Sequence, residues 1–145
     1  MGRILAIDYG TKRVGIAVTD PNKIIATGLT TVHSKEVIEF LKQYIAKENV
    51  ECIVIGEPKR MNNEASEVEK FIAPFVQKLK EMFPQLLIER ADERFTSKMA
   101  FQSMIDGGLK KKDRQNKETV DMVSATIILQ SYMEIKKGDF NGKMD

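Results

Sequence analysis

The fold is decided by Ile4-Leu5-Ala6-Ile7-Asp8-Tyr9-Gly10-Thr11-Lys12-Arg13-Val14-Gly15-Ile16-Ala17-Val18, two apolar runs separated by a carboxylate and a short turn. Residues 4–7 are apolar at every position, where a strand with one wet face would alternate. That is the pattern of a central strand covered on both faces. Asp8 ends the run. A carboxylate is costly to desolvate without a partner, so Asp8 belongs at an open strand end, beside a cation, or on a metal. Gly10 supplies the backbone freedom that the turn from Asp8 to Thr11 needs. Residues 14–18 return as an antiparallel partner, and Gly15 leaves that strand open to close approach.

A buried strand that ends in Asp, followed by a glycine turn and a second strand, serves two chemistries. One is the metal-binding carboxylate of RNase H-like nucleases. The other is the phosphate loop of actin- and hexokinase-like ATPases. The plain alternative is a hairpin whose Asp only caps a turn, and the segment by itself does not separate the three.

Outward from the hairpin, Asp20-Pro21-Asn22 sets off a third strand over residues 24–32, completing an antiparallel meander. His33, the only histidine, reads as structural or solvated. Ser34 predicts an N-cap, with Glu36 in the first turn of a helix that carries Val37, Ile38, Leu41, Tyr44 and Ile45 at helical spacing. Residues 52–56 form another wholly apolar strand. After a polar loop over residues 59–63, a long helix starts at Glu64. Its apolar face reads Val68, Phe71, Ile72, Phe75, Val76, Leu79 and Met82, with a bend at Pro74. Residues 86–91 are a fifth, less apolar strand nearer an edge, and Asp92-Glu93-Arg94-Phe95 lies at its end. A short helix from Thr96 or Ser97 to Met104 is stopped by Gly107-Gly108. A charged loop over residues 110–117 leads to a last helix, about 118–135. The order βββαβαβαα implies an α/β domain with a mixed five-stranded sheet and helices on both faces. It covers residues 1–138, with 139–145 as a flexible tail.

A chain of 145 residues with 42% apolar content fits one domain with a substantial core. The net charge of +2 is too small to argue nucleic-acid binding, so basic groups matter only where they cluster. Cys52 is the only cysteine, which excludes an intrachain disulfide and fits a reducing compartment. Inside an apolar run it reads as a small core residue. The N-terminus lacks the form of a signal peptide, and no run approaches the length of a membrane span. A cytoplasmic protein with no membrane partner is expected.

The informative acids are Asp8, Asp92 or Glu93, and Asp121. The first two positions lie at C-terminal strand ends, where open α/β sheets build their sites. Asp121 lies near the start of the last helix, on the face of Ser124, Ala125, Ile128 and Tyr132. Three carboxylates within ~5 Å repel by about 3 kcal/mol per pair at an effective dielectric of about 20. Such a cluster takes up protons or binds divalent metal. A Mg²⁺ pair about 4 Å apart suits phosphodiester hydrolysis.

Four stretches carry a more specific resemblance. They are Ile7-Asp8-Tyr9-Gly10-Thr11-Lys12-Arg13 with its continuation to Ala17, Val54-Ile55-Gly56-Glu57-Pro58, Asp92-Glu93-Arg94-Phe95-Thr96-Ser97, and residues 120–130 around Asp121. In these and in their order the chain resembles the YqgF family of RNase H-like proteins, described both as Holliday junction resolvases and as pre-16S rRNA nucleases. The resemblance implies an RNase H-like fold and Mg²⁺ or Mn²⁺ as cofactor. It makes Asp8, Glu93 and Asp121 the catalytic metal ligands, with Asp92 as a further candidate beside Glu93. The loop after Pro58 has Asn62-Asn63 in place of the family's usual Asp-Gly, which bears on substrate contacts and not on the metal site. Lys12, Arg13, Lys59, Arg60, Arg94 and the run Lys110, Lys111, Lys112 and Arg114 are the candidate phosphate contacts, the alternative being solvated surface groups. The implied function is a metal-dependent nuclease, foremost in 5′-end maturation of pre-16S rRNA during ribosome biogenesis. Holliday junction resolution is the alternative. A non-catalytic RNA-binding module and an actin-like phosphotransferase rank lower. The expected partner is nucleic acid, pre-rRNA ahead of branched DNA, with the ribosome as a further partner and a monomer or weak dimer as the assembly.

Overall fold

Residues 4–18 form the middle of a five-stranded sheet. The computed structural model describes residues 2–57, 68–92 and 117–144. β1 (Arg3–Tyr9) and β2 (Arg13–Thr19) pair antiparallel, with Leu5 opposite Val18 and Asp8 opposite Gly15. β3 (Ala26–His33) continues the meander against β2. On the other side of β1, β4 (Val50–Glu57) and β5 (Leu87–Asp92) add in parallel. The order across the sheet is β3-β2-β1-β4-β5, so β1 is paired along both sides. Parallel neighbours need crossovers. α1 (Val37–Lys47) links β3 to β4, and α2 (Glu69–Met82) lies between β4 and β5. The last helix, α3, spans Lys117–Met144.

Alternation along the strands divides the core in two. Leu5, Ile7, Val14, Ile16, Ile53 and Ile55 face α1 and α2, and meet Val37, Leu41, Ile72, Phe75, Val76 and Leu79. Ala6, Ala17, Cys52 and Val54 face α3, and meet Ala125, Ile128, Leu129 and Tyr132. Helices therefore cover both faces, as the all-apolar strands require. The two sides differ in residue size. Large side chains line the α1–α2 side, each worth roughly 1.5–3 kcal/mol when fully buried. Alanines at positions 6 and 17 line the other side and let α3 lie close. Cys52 is buried, with its Sγ 3.7 Å from the Tyr132 hydroxyl. Burial, then the hydrogen bond to Glu89, pushes the Tyr132 phenol well above the usual tyrosine range.

Several local expectations are corrected. Ile24 and Ile25 do not begin the third strand. The Asp20 carboxylate accepts hydrogen bonds from their backbone N–H groups at 2.7 Å each, which holds them outside the strand. Those bonds, the one from Ile25 foremost, keep the Asp20 carboxyl below its ordinary range. Ser34 does not cap α1, whose N-cap is Glu36 without a side-chain bond. The Ser34 hydroxyl donates to the Thr11 carbonyl at 2.7 Å instead. His33 accepts the Lys35 N–H on Nδ1, a structural role. As expected, α2 includes Pro74, its buried face outweighing one lost backbone bond. Phe71 is not on that face and lies exposed, with the Lys70 ammonium over its ring. α3 runs to Met144, beyond the end expected near residue 135. The short helix expected over residues 96–104 lies outside the described residues.

Candidate active site

Asp8 lies one step beyond Ile7, at the C-terminal end of the central strand. Strand parity puts it on the same face as Ala6, the face that α3 covers. Its cross-strand partner is Gly15. Opposed residues of an antiparallel pair have Cα atoms roughly 4.5–5.5 Å apart. The start of α3 passes directly over that glycine. A Cβ at Gly15 would strike the Asp121 carbonyl oxygen and come within 3.1 Å of the Asp121 Cβ. On β3, a Cβ at Gly28 would lie 2.8 Å from Met122 Cγ. Two glycines thus form the bed of the helix, and the one at 15 brings Asp121 down beside Asp8. Neighbours 113 positions apart in sequence meet across one residue without a side chain.

Arg13 completes the contact. It shares parity with Gly15 and Ala17, and its Nε donates to Asp121 Oδ2 at 2.8 Å. The two side chains keep 38% and 23% of their surface exposed. The turn before Arg13 is tied down from the other side. The Ser34 N–H donates to the Lys12 carbonyl at 3.0 Å, in addition to the hydroxyl bond to Thr11. Lys12 itself is exposed.

The parallel strands end together. Ile7 is level with Ile55, and Ile55 with Arg90. One residue further come Asp8, Gly56 and Ala91, and β5 closes with Asp92 opposite Glu57. Asp92 thus reaches the same sheet end as Asp8. Glu93, Lys59, Arg60, Arg94, Lys110, Lys111, Lys112 and Arg114 lie outside the described residues. Of the acids read from the sequence, Asp8 and Asp121 are brought together.

On the opposite face Arg90 builds a clamp that the sequence reading missed. Its Nη1 and Nη2 donate to the two Glu69 oxygens at 2.8 and 2.6 Å. Nε reaches the Ile55 carbonyl at 3.2 Å, and Nη2 the Gly56 carbonyl at 3.0 Å. An arginine inside an otherwise half-apolar strand was the available signal, since a buried guanidinium must find acceptors. A separate concavity of about 810 Å³ lies at the far end of the sheet, among Ile24, Ile25, Gln130 and Met133. It holds none of the paired acids.

Among the described residues no three His, Cys, Asp or Glu side chains form a metal-holding group. The pair present still fits a hard divalent ion. Both donors are carboxylate oxygens, which Mg²⁺ and Mn²⁺ prefer.

Sheet order, helices on both faces and acids gathered where β1 ends under the last helix define a protein of the RNase H-like class. Within that class, a family profile described as "RuvX: Holliday junction resolvase" matches residues 2–135. The chain belongs to this RuvX, or YqgF, family. Relatives from Flavobacterium psychrophilum and Bacteroides thetaiotaomicron are 62% and 61% identical, over 94% of this chain and 99% of their own lengths. Both are provisionally named pre-16S rRNA nucleases. Among solved structures, a Fowlpox virus resolvase in complex with Holliday junction DNA is similar with a TM-score of 0.59 and 15% identity, covering 91% of this chain and 97% of that one. The same viral resolvase in a second crystal structure gives 0.56. At that identity the likeness is one of fold.

Proposed function

We propose that the chain is a divalent-metal-dependent nuclease that hydrolyses nucleic-acid phosphodiesters in the maturation of pre-16S rRNA, acting in the cytoplasm. The observation that carries this reading is the meeting of Asp8 and Asp121 across Gly15 at one end of the sheet. Full-length relatives with the pre-16S rRNA nuclease name support the substrate.

Asp8, Asp121 and Glu93 would hold Mg²⁺ or Mn²⁺. On β5 the odd-numbered residues Glu89 and Ala91 turn toward α3, since Glu89 bonds Tyr132 and Ala91 packs in that half of the core. Asp92 adjoins Glu93 in sequence and is the further candidate ligand. An ion held by these acids would supply Lewis acidity toward water and toward the leaving oxygen. The chain's own residues do the rest. The acids concentrate negative potential at the strand end. Lys12 and Arg13, on a turn pinned by Ser34, draw the phosphate backbone toward it. Lys59, Arg60, Arg94, Lys110, Lys111, Lys112 and Arg114 extend that attraction without reading bases, in contact with nucleic acid and with the ribosome that carries it.

The test is cleavage of a precursor rRNA fragment in Mg²⁺ by Asp8→Asn and Asp121→Asn proteins. Each is expected to fall by more than about 100-fold, the upper range for losing even an outer partner of a metal site. Melting of Asp8→Asn in EDTA checks that the variant still folds. Asp8→Asn protein that cleaves at the wild-type rate would remove the assignment. A second reading, junction resolution, is favoured by the family description and by the fold shared with the viral resolvase. It uses the same acids on branched DNA.

A further inference from the structure

The Arg13–Asp121 pair carries a consequence that rests on the metal-nuclease reading. Asp121 Oδ2 takes one hydrogen bond, from Arg13 Nε. Among the described residues neither side chain has another polar partner. Oδ1 of Asp121 and both Nη groups of Arg13 are therefore available there, and both side chains are exposed enough for solutes to reach.

A divalent ion on Asp121 would have to share that carboxylate with a guanidinium. Two cations on one carboxylate repel, and at a partly buried site the repulsion is screened less than in open water. Arginine has no escape by losing its proton. A phosphodiester relieves the conflict. The guanidinium fork fits two phosphate oxygens, and the phosphate charge offsets the cation. We propose that Arg13 couples metal loading to substrate. In the free protein it holds Asp121 and depresses the affinity for metal. With nucleic acid bound, Arg13 takes a backbone phosphate through its Nη groups, and the metal binds Asp121 more tightly. By linkage, metal strengthens nucleic-acid binding by the same factor. The Asp121 backbone lies against Gly15, so losing the arginine leaves the start of the helix on the same bed.

Calorimetric titration of Mn²⁺ into the full chain tests this, alone and after saturation with a phosphorothioate-linked RNA hairpin at fixed salt. Wild type is expected to bind Mn²⁺ roughly tenfold more tightly with RNA, within the usual 5–150-fold range of coupling. In Arg13→Gln the free protein should gain about tenfold in Mn²⁺ affinity, and the RNA effect should shrink toward none. Arg13→Lys keeps the charge and loses the fork. Its Mn²⁺ affinity when free should stay near wild type while RNA binding weakens. Melting in EDTA checks that both variants fold. Arg13→Gln protein that binds Mn²⁺ no better than wild type, or worse, overturns the coupling and leaves Arg13 a strut for Asp121. Wild-type protein that binds no Mn²⁺ with or without RNA overturns the metal-nuclease reading itself, and the coupling with it.

Discussion

Gly15 does for this site what no side chain can. Any Cβ there meets backbone on α3, and backbone cannot swing aside as a side-chain tip can. Gly15→Ala must therefore lift the start of the helix or tilt β2. Overpacking of this kind costs about 1–3 kcal/mol, and more where backbone is the obstacle. The displaced residue is Asp121, so activity should fall further than stability. Chemical denaturation and cleavage rates on the same preparation separate the two. A variant that loses 2 kcal/mol of stability yet cuts normally would mean that Asp121 tolerates being moved. Asp8 was legible as a site residue from its place after four apolar residues. Asp121 was legible as a carboxylate on a helix that is apolar nearly all round. Their meeting was not, because it depends on a glycine in β2 and on the depth at which a distant helix seats.

Among the elements, the Arg90 clamp joins β5, the end of β4 and the start of α2. Glu69 stands in the first turn of α2, and its bidentate pair with Arg90 fixes where that helix begins. Both side chains are about one-fifth exposed, so the pair is screened only in part. Glu69→Ala removes the bidentate carboxylate and leaves the guanidinium its carbonyl acceptors and the more distant Glu57. The expected loss is about 2 kcal/mol, the scale of hydrogen bonds to charged groups. Denaturant midpoints measure it, and a change under 0.5 kcal/mol would show that Glu57, 4.0 Å from Arg90, takes over. The clamp also explains which elements the sequence made legible. Strands buried on both faces announce themselves by unbroken apolar runs, and β1, β2 and β4 fall where those runs lie. Boundaries set by polar side chains do not. Ile24 and Ile25 look like strand residues, yet the Asp20 carboxylate bends them out of the sheet. Ser34 looks like a helix cap, yet a closer carbonyl at Thr11 takes its hydroxyl. In each case a local rule lost to a partner that only the assembled fold supplies.

At the scale of the whole molecule, the surface bears on which nucleic acid is cut. Symmetric resolution of a four-way junction needs two active sites on one two-fold dimer, whereas trimming an RNA end needs one. A stable dimer buries about 1,600 Å² with an apolar centre. Among the described residues the exposed large apolar side chains are Ile24 (69%), Ile25 (63%), Leu87 (54%) and Phe71 (49%). Ile24 and Ile25 sit beside β3 at one edge of the sheet, Leu87 is on β5 at the other, and Phe71 is on α2. They are scattered over three places, and scattered apolar residues are ordinary surface, not an interface. The chain is therefore expected to be a monomer or a weak dimer in dilute solution, and to cut precursor rRNA at concentrations where it makes no paired cuts in a junction. Mass in solution and cleavage of both substrates at one protein concentration decide the matter. A tight dimer that cuts junctions at symmetric positions and leaves precursor rRNA intact would reverse the order of the two readings, with Asp8 and Asp121 keeping the same roles in either.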